Sequence, residues 1–292
     1  MFYTLGIKGM LGVLELLLGF LTGGQLGDLK ATLKWAEDHG FDSISIATSP
    51  GSKFFEASEV LSNVQKYREL LKGSSVIVSA IGFYGNPIHP DESVRRQHQE
   101  YFMKLIDAAH KLEIGVVTGW IGKIPGADDE ENLSAYAREW PKIVELAEDR
   151  GVKIAIENCP GNMAYRPDIW RRMFELIPSR ALGLEFDPSH LICQMIDPIR
   201  AADEFGDRIY HTHCKDAQVL WDRVRELGIT SKGWCPHRLP GFGDLDWAAF
   251  ISVLAKHKYD YALSIEHEDP YFGYEEGLLL AKKFLSRFVV RV

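Results

Sequence analysis

The chain lacks a membrane span. Its longest apolar run, Met10–Leu21 (MLGVLELLLGFL), is twelve residues long and is interrupted by Glu15. That is too short to cross a bilayer, and it has no strongly basic leader of the kind a signal peptide carries. The chain also lacks an excess of basic charge. Its formal net charge is −8, which argues against a nucleic-acid partner, because phosphate binding needs a basic face. It has only four cysteines, Cys159, Cys193, Cys214 and Cys235, and no CxxC pair. A zinc knuckle or thiol redox motif is therefore not indicated, and free thiols in a reducing cytoplasm are expected. No G-x-G-x-x-G or Walker loop follows the first predicted strand.

What is present is ordinary globular composition, 46% hydrophobic and 25% charged over 292 residues. A chain of that length can bury a full core without a staple, and α/β barrels often run to roughly 250 residues as one domain. Strand-like and helix-like segments alternate throughout. The predicted strands are Tyr3–Lys8, Ser43–Ala47, Val76–Gly82, Gly115–Thr118, Lys153–Glu157, Leu182–Asp187, Ile209–His213 and Ala262–Glu266. The predicted helices are Asp28–His39, Glu56–Lys72, Asp91–Leu112, Asp129–Arg150, Pro167–Ile177, Asp197–Phe205, Asp246–Lys256 and Tyr274–Phe288. Asp28 and Asp246 sit where helix N-caps belong, and Gly40 where a C-cap belongs. Eight such units without a linker predict a closed (β/α)8 TIM barrel, one domain over residues 1–292. An open doubly wound sheet is the structural competitor. The Met10–Leu21 run then reads as part of the first loop or a short extra helix, covering the site or an oligomer contact. The irregular stretch Asp216–Gly243 is long enough to be functional.

Strand parity carries the chemistry. Successive side chains point to opposite faces of a strand. In the fifth, sixth and eighth strands the bulky apolar set (Ile154 and Ile156; Leu184 and Phe186; Leu263 and Ile265) takes the helix-facing positions. The interior set ends in a carboxylate, Glu157, Asp187 or Glu266. The seventh strand puts His211 and His213 inside. Four neighbouring strands thus end in Glu157, Asp187, His213 and Glu266 at the C-terminal mouth, where barrel active sites lie. Three carboxylates crowded together repel one another, and a divalent cation relieves this. The donor set suits Mn, Co, Mg or Zn, with an oxygen-loving ion favoured by the absence of thiolate.

Other residues read less sharply. Lys153 and Glu185, lower on adjacent strands, are expected to form a buried pair beneath the ligands, and His211 to make core hydrogen bonds or touch substrate. Trp120 is expected to pack on a sugar face or simply on the rim. Tyr84, Asn86 and His89 supply polar contacts or a plain turn, and His237 and Trp234 are read as pocket lining. Cys214 points to the helix layer by parity, and Cys159 receives no role. The run Asp244–Asp246 makes the Gly241–Gly243 turn a poor anion site, so a phosphorylated substrate is not expected.

The segments IAIENCPG (Ile154–Gly161), LEFDPSHL (Leu184–Leu191), HTHCKD (His211–Asp216), RLPGFGDLDW (Arg238–Trp247) and LSIEHED (Leu263–Asp269) resemble, in order and spacing, the xylose-isomerase-like sugar isomerase/epimerase superfamily of TIM barrels. The resemblance implies one divalent metal ion on Glu157, Asp187, His213 and Glu266. It implies that His190 faces the substrate or a metal-bound water, that Arg238 binds substrate, and that the protein self-associates as a homo-oligomer. Where ketose 3-epimerases carry a Glu-Ser-His-Arg type segment, this chain has Cys214-Lys215-Asp216, a form more similar to inosose dehydratases and enzymes that cleave oxidised C-glycosides. The expected function is a metal-dependent, cytoplasmic sugar isomerase or epimerase. It would transfer a proton on a hydroxy-ketone or aldose through a metal-held enediolate, with Glu157 and Glu266 as the catalytic pair and His190 and Lys215 as further candidates. Lys215, with Trp120, His190 and Arg238, is also expected to bind the substrate. The alternative is a dehydratase or lyase on a keto-sugar or keto-inositol. More remote are an apurinic-site endonuclease, which needs more histidines and a basic groove, and a non-catalytic sugar-binding barrel.

Overall fold

The structure, a computed structural model, describes residues 16–289. Eight parallel strands close into a barrel: β1 (Leu17–Thr22), β2 (Ser43–Ala47), β3 (Ile77–Phe83), β4 (Val116–Gly119), β5 (Lys153–Glu157), β6 (Leu182–Phe186), β7 (Ile209–Cys214) and β10 (Ala262–Ile265). The remaining two strands, β8 (Asp216–Ala217) and β9 (His237–Arg238), form a small antiparallel ribbon outside it. β1 pairs with β10 on one side and β2 on the other, which completes the ring.

That first strand corrects the sequence reading. The predicted strand Tyr3–Lys8 lies outside the described residues. The apolar run expected to be a loop or helix contributes β1 instead. Its local chemistry explains this. Leu18 and Phe20 alternate outward and are buried, with the Phe20 ring edge-on to Trp35 and Phe41 at 5.7 and 4.9 Å. Between them Gly19 faces inward, and a Cβ there would stand 2.2 Å from Ser43 Oγ. A glycine facing in between two large residues facing out fits a barrel strand; the leucines on either side of the glycine disguise the period.

The other strands fall within a residue or so of the predicted bounds, and two predicted helices divide. Glu56–Lys72 breaks at Asn63 into Ala57–Ser62 and Val64–Lys72. Asp129–Arg150 breaks at Trp140, because Pro141 has no N–H to continue the ladder and starts a new helix instead. Asp28 and Asp246 cap as expected, accepting from the amides of Ala31 and Ala249 at 2.8 and 2.9 Å. The main apolar core lies between barrel and helices; a small second cluster, Ala80, Val116 and Ala155, fills the barrel floor.

Two features position the mouth. A five-residue helix, Pro188–Ile192, follows β6 at once and carries His190. The long stretch Asp216–Gly243 contains the β8–β9 ribbon and a helix, Trp221–Leu227. Asp216 organises it, accepting from the backbone amides of Ala217, Gly241 and Leu245 and from Trp247 Nε1. A Cys193–Cys235 disulfide ties the stretch to the end of the His190 helix, so two of the cysteines expected as free thiols are paired. Their 42-residue separation hides the pairing, since sequence spacing carries no such information.

Candidate metal centre

Glu157 ends β5. Asp187 follows β6, where its Oδ1 caps the short helix by accepting from the Ser189 amide and hydroxyl at 2.8 and 2.6 Å. Asn158 clamps the two strand ends together: its side chain donates to Asp187 O and accepts from Asp187 N, both at 2.7 Å. His213 lies on β7 and Glu266 just past β10. One donor atom from each of these four residues falls within 4.8 Å of all the others. His213 Nδ1 stands 3.2 Å from Glu157 Oε1, 3.1 Å from Glu266 Oε2 and 4.0 Å from Asp187 Oδ2. Asp187 Oδ2 is fully buried; the Lys215 ammonium stands 3.1 Å from it without hydrogen-bond alignment, and a cation among the four donors would complete its surroundings. Glu266 is the most accessible of the four, with 16% of its side chain exposed, so the opening is on its side.

Beneath this layer lies a second carboxylate. Glu185 is buried; its Oε1 stands 3.0 Å from both His211 Nδ1 and His213 Nε2, and its Oε2 accepts from Tyr84 OH at 3.0 Å. The His213 contact lacks hydrogen-bond alignment. His211 Nε2 meets Ser79 Oγ at 3.1 Å, the core role expected of it. A register shift between Leu184 and Glu185 makes this layer, by setting His211 opposite Glu185. The expected Lys153–Glu185 pair is not formed. Lys153 opens at the floor of the barrel, where its Nζ donates to Arg180 O at 2.6 Å and lies 5.1 Å over the Tyr210 ring. Parity assigned the correct face to both, but four residues along a strand separate the floor from the mouth.

Above the layer sits Lys215, almost fully buried. Its Nζ is 2.7 Å from Glu266 Oε2, 2.8 Å from Glu268 Oε2, 3.1 Å from Asp187 Oδ2 and 3.5 Å from His190 Nε2. Glu268 also accepts from His237 Nδ1 at 2.7 Å, which fastens the β9 end of the long loop to the site. Glu268 was missed by the sequence reading, although it sits two residues past Glu266 in the same acidic run. His190 Nε2 lies 3.5 Å from both Glu157 Oε1 and Asp187 Oδ2.

Trp120 turns its indole N–H, not its ring face, to the cluster, donating to Glu157 Oε2 at 2.5 Å. Arg238 is committed to the loop: Nε donates to Asp269 at 2.9 Å, a second N–H to Gln218, and the guanidinium lies 5.2 Å over Tyr271. Asn86 and His89 brace the turn after β3, accepting from the amides of Lys123 and Asp91. Trp234 donates its indole N–H to Ile229 O within the loop. Cys214 is buried beside Thr212, away from the mouth, as parity predicts, and burial pushes its thiol up to about 12.

The electrostatics follow from this packing. Burial alone would raise the Glu157 carboxyl, but hydrogen bonds from His190 and His213 outweigh it and hold Glu157 well below the usual range. Burial likewise opposes Asp187, and the charges of Lys215, His190 and His213 lower it. Burial would lower His190, yet the Asp187 charge and bonds to Cys159 and Glu157 push it up to about 10. His213 is driven up against its burial by Glu185 and Glu266. The geometry agrees with this, because both ring nitrogens face carboxylate oxygens, Nδ1 those of Glu157 and Glu266 and Nε2 that of Glu185.

Comparison with known proteins agrees with this architecture. Residues 33–284 match the family model of the xylose isomerase-like TIM barrel. The chain belongs to that family. Among its relatives, the YfiH protein of Bacillus subtilis (strain 168) is 26% identical over 88% of this chain and 94% of that one. An inosose dehydratase of Clostridium perfringens is also 26% identical, but over about half of each chain, 54% and 55%. Among solved structures, the IolI protein with a bound zinc atom superposes with a TM-score of 0.75 at 21% identity, covering 94% of this chain and 98% of that one. D-allulose 3-epimerase from Methylomonas sp. in complex with D-allulose gives 0.68 at 18% identity, covering 94% and 96%. At these identities the structural likeness is one of fold. The xylose isomerase-like barrel here has, among its described residues, no helix long and apolar enough to cross a membrane.

Proposed function

We propose that this chain is a divalent-metal-dependent isomerase or epimerase of a small unphosphorylated sugar or polyol. The observation that carries the reading is the convergence of one donor atom each from Glu157, Asp187, His213 and Glu266 to within 4.8 Å of one another. The donors fit one ion: three carboxylates and an imidazole, with no thiolate among them. Bound there, a divalent cation supplies Lewis-acid polarisation of adjacent substrate oxygens and neutralises the carboxylates.

The chain's own groups divide the remaining work. Glu157 and Glu266 come from the outer two of four neighbouring strands and flank Asp187 and His213, so they can remove and return a carbon-bound proton on opposite faces of a substrate. Trp120 fixes Glu157 by one oxygen and leaves the other facing the cluster. Lys215 is already charged and so cannot accept a proton. It anchors Glu266 and Glu268, and its ammonium can stabilise negative charge on a substrate oxygen. His190 lies close enough to Glu157 to hand it a proton between half-reactions.

Lys215 and His190 also favour a second reading. Two cationic acids beside a proton-abstracting carboxylate are what a dehydratase or lyase needs to protonate a departing hydroxyl, and the inosose dehydratase relatives point the same way. An endonuclease is disfavoured by the acidic mouth and the net charge of −8.

The test is metal analysis of the wild type, Glu157→Gln and His213→Ala, followed by incubation of the loaded enzyme with ketoses and keto-inositols in D2O. Stoichiometric metal lost in both variants, with deuterium in an unchanged carbon skeleton, supports the isomerase. Loss of water from the product moves the assignment to lyase. Failure of the wild type to hold any divalent ion overturns both.

A further inference from the structure

Beside the four-residue cluster lies a second convergence. Donor atoms of Glu157, Cys159 and His190 also fall within 4.8 Å of one another. Cys159 follows Glu157 by two residues, just past the end of β5, and its thiol comes to the same side as the carboxylate. Asn158, between them, is turned away into its clamp with Asp187. His190 is held over both by its short helix, with Nε2 3.5 Å from Glu157 Oε1 and a ring nitrogen within 4.8 Å of the Cys159 sulfur. The same nitrogen is 3.5 Å from Asp187 Oδ2, the buried oxygen without a hydrogen bond. The Cys159 sulfur accepts from the Gly161 amide at 3.5 Å. Cys159 is half-buried and is not part of the disulfide.

We propose that Glu157, Cys159 and His190 form a second metal site, adjacent to the first and sharing Glu157 with it, that is selective for thiophilic ions. A thiolate, an imidazole and a carboxylate are a zinc-type donor set, with a position left open. Hard ions such as Mg²⁺ and Mn²⁺ avoid thiolate, so they occupy the first site alone, whereas Zn²⁺, Co²⁺ or Cd²⁺ fill both. Because Glu157 and His190 are candidate proton carriers, a second ion withdraws both from proton transfer. The site therefore makes excess thiophilic metal an inhibitor.

The inference rests on the metal-binding reading above only through Glu157, and one titration separates the two. Cobalt(II) is added to the metal-free full-length protein with the disulfide intact and no thiol reductant present. The expected result is a second equivalent of bound cobalt accompanied by a thiolate-to-cobalt charge-transfer band in the near-ultraviolet, against a single equivalent for manganese. Cys159→Ser loses the band and the second equivalent but keeps the first; His190→Gln likewise loses the second equivalent. Cys214→Ala keeps both. One equivalent of cobalt without the band overturns the second site and leaves the first standing. A band that survives Cys159→Ser assigns the thiolate elsewhere and also overturns it. No bound metal at all refutes both readings together.

Discussion

Metal binding to the four-residue cluster must expel a proton, and the structure specifies from where. His213 Nδ1 lies 3.1 and 3.2 Å from carboxylate oxygens of Glu266 and Glu157, contacts that only a protonated nitrogen can make. Glu185 and Glu266 hold the ring's affinity for that proton well above its ordinary value despite burial. The carboxylates Glu157 and Asp187 are shifted the other way and are already ionised near neutrality. Lys215 keeps its proton when an ion takes Asp187, because Glu268 remains 2.8 Å from its Nζ. An imidazole must be neutral to ligate a metal. Below the raised His213 value, therefore, each ion bound releases about one proton, and the apparent affinity improves about tenfold, or roughly 1.4 kcal/mol, per pH unit. His190 adds a fraction of a proton as the ion takes over Asp187 and Glu157, so the clean background is His190→Gln. The assay is calorimetric titration of manganese into that variant from about pH 6 to 8, in buffers of differing ionisation enthalpy. A flat affinity with no proton released would refute the reasoning, for it would mean that the His213 ring is neutral before the ion binds.

Four further outcomes follow from other contacts. Glu185→Gln removes the charged partner that aligns His211 and His213; metal affinity should fall by roughly 10–100-fold with the circular dichroism spectrum unchanged, and an unaltered affinity would show that the lower carboxylate does not position the ligand. Gly19→Ala would push a Cβ to 2.2 Å from Ser43 Oγ and 2.6 Å from Ser43 O, so denaturant unfolding should report a loss of about 1–3 kcal/mol; no loss would place the first barrel strand elsewhere. Protein unfolded without reductant should titrate only Cys159 and Cys214, and all four cysteines after reduction. Opening the 42-residue loop by Cys193→Ala should lower stability by about 4 kcal/mol in the chain-entropy account.

How far the sequence alone reaches depends on the range of the interaction concerned. The period-2 pattern of β5, β6 and β10 reports which face a side chain takes, and the structure brings together the four mouth residues that this pattern selects, because neighbouring strands of a closed barrel end at a common rim. The helix caps at Asp28 and Asp246 were equally legible, since a cap is written within three residues of itself. Parity says nothing of depth, however. Lys153 and Glu185 share a face but lie at opposite ends of the barrel, and it is the register of β6 against β7, shifted at Leu184, that gives Glu185 to the histidines. Inter-strand register is a property of pairs of segments, and a single sequence read for periodicity contains no such pairs.

Beyond the strand ends even parity lapses, and there the reading gave Cys159 no role and passed over Glu268. Cys159, Lys215 and Glu268 sit one to three residues past their barrel strands, at positions fixed by what other loops bring. Cys159 meets His190 because a five-residue helix starts directly at Asp187; Lys215 meets Glu268 because both follow ligands on adjacent strands. Arg238 shows the converse. Its charge and its place in a motif suggested substrate, yet Asp269 lies 2.9 Å away and its guanidinium lies over Tyr271, so the loop it belongs to is its main partner. A charged residue in a long loop near a mouth has two competing uses, to hold the loop or to meet the ligand, and the residue type is the same for both. The partner decides between them, and in a (β/α)8 barrel that partner comes from another strand's loop, tens of residues away in the chain, so local pattern cannot supply it.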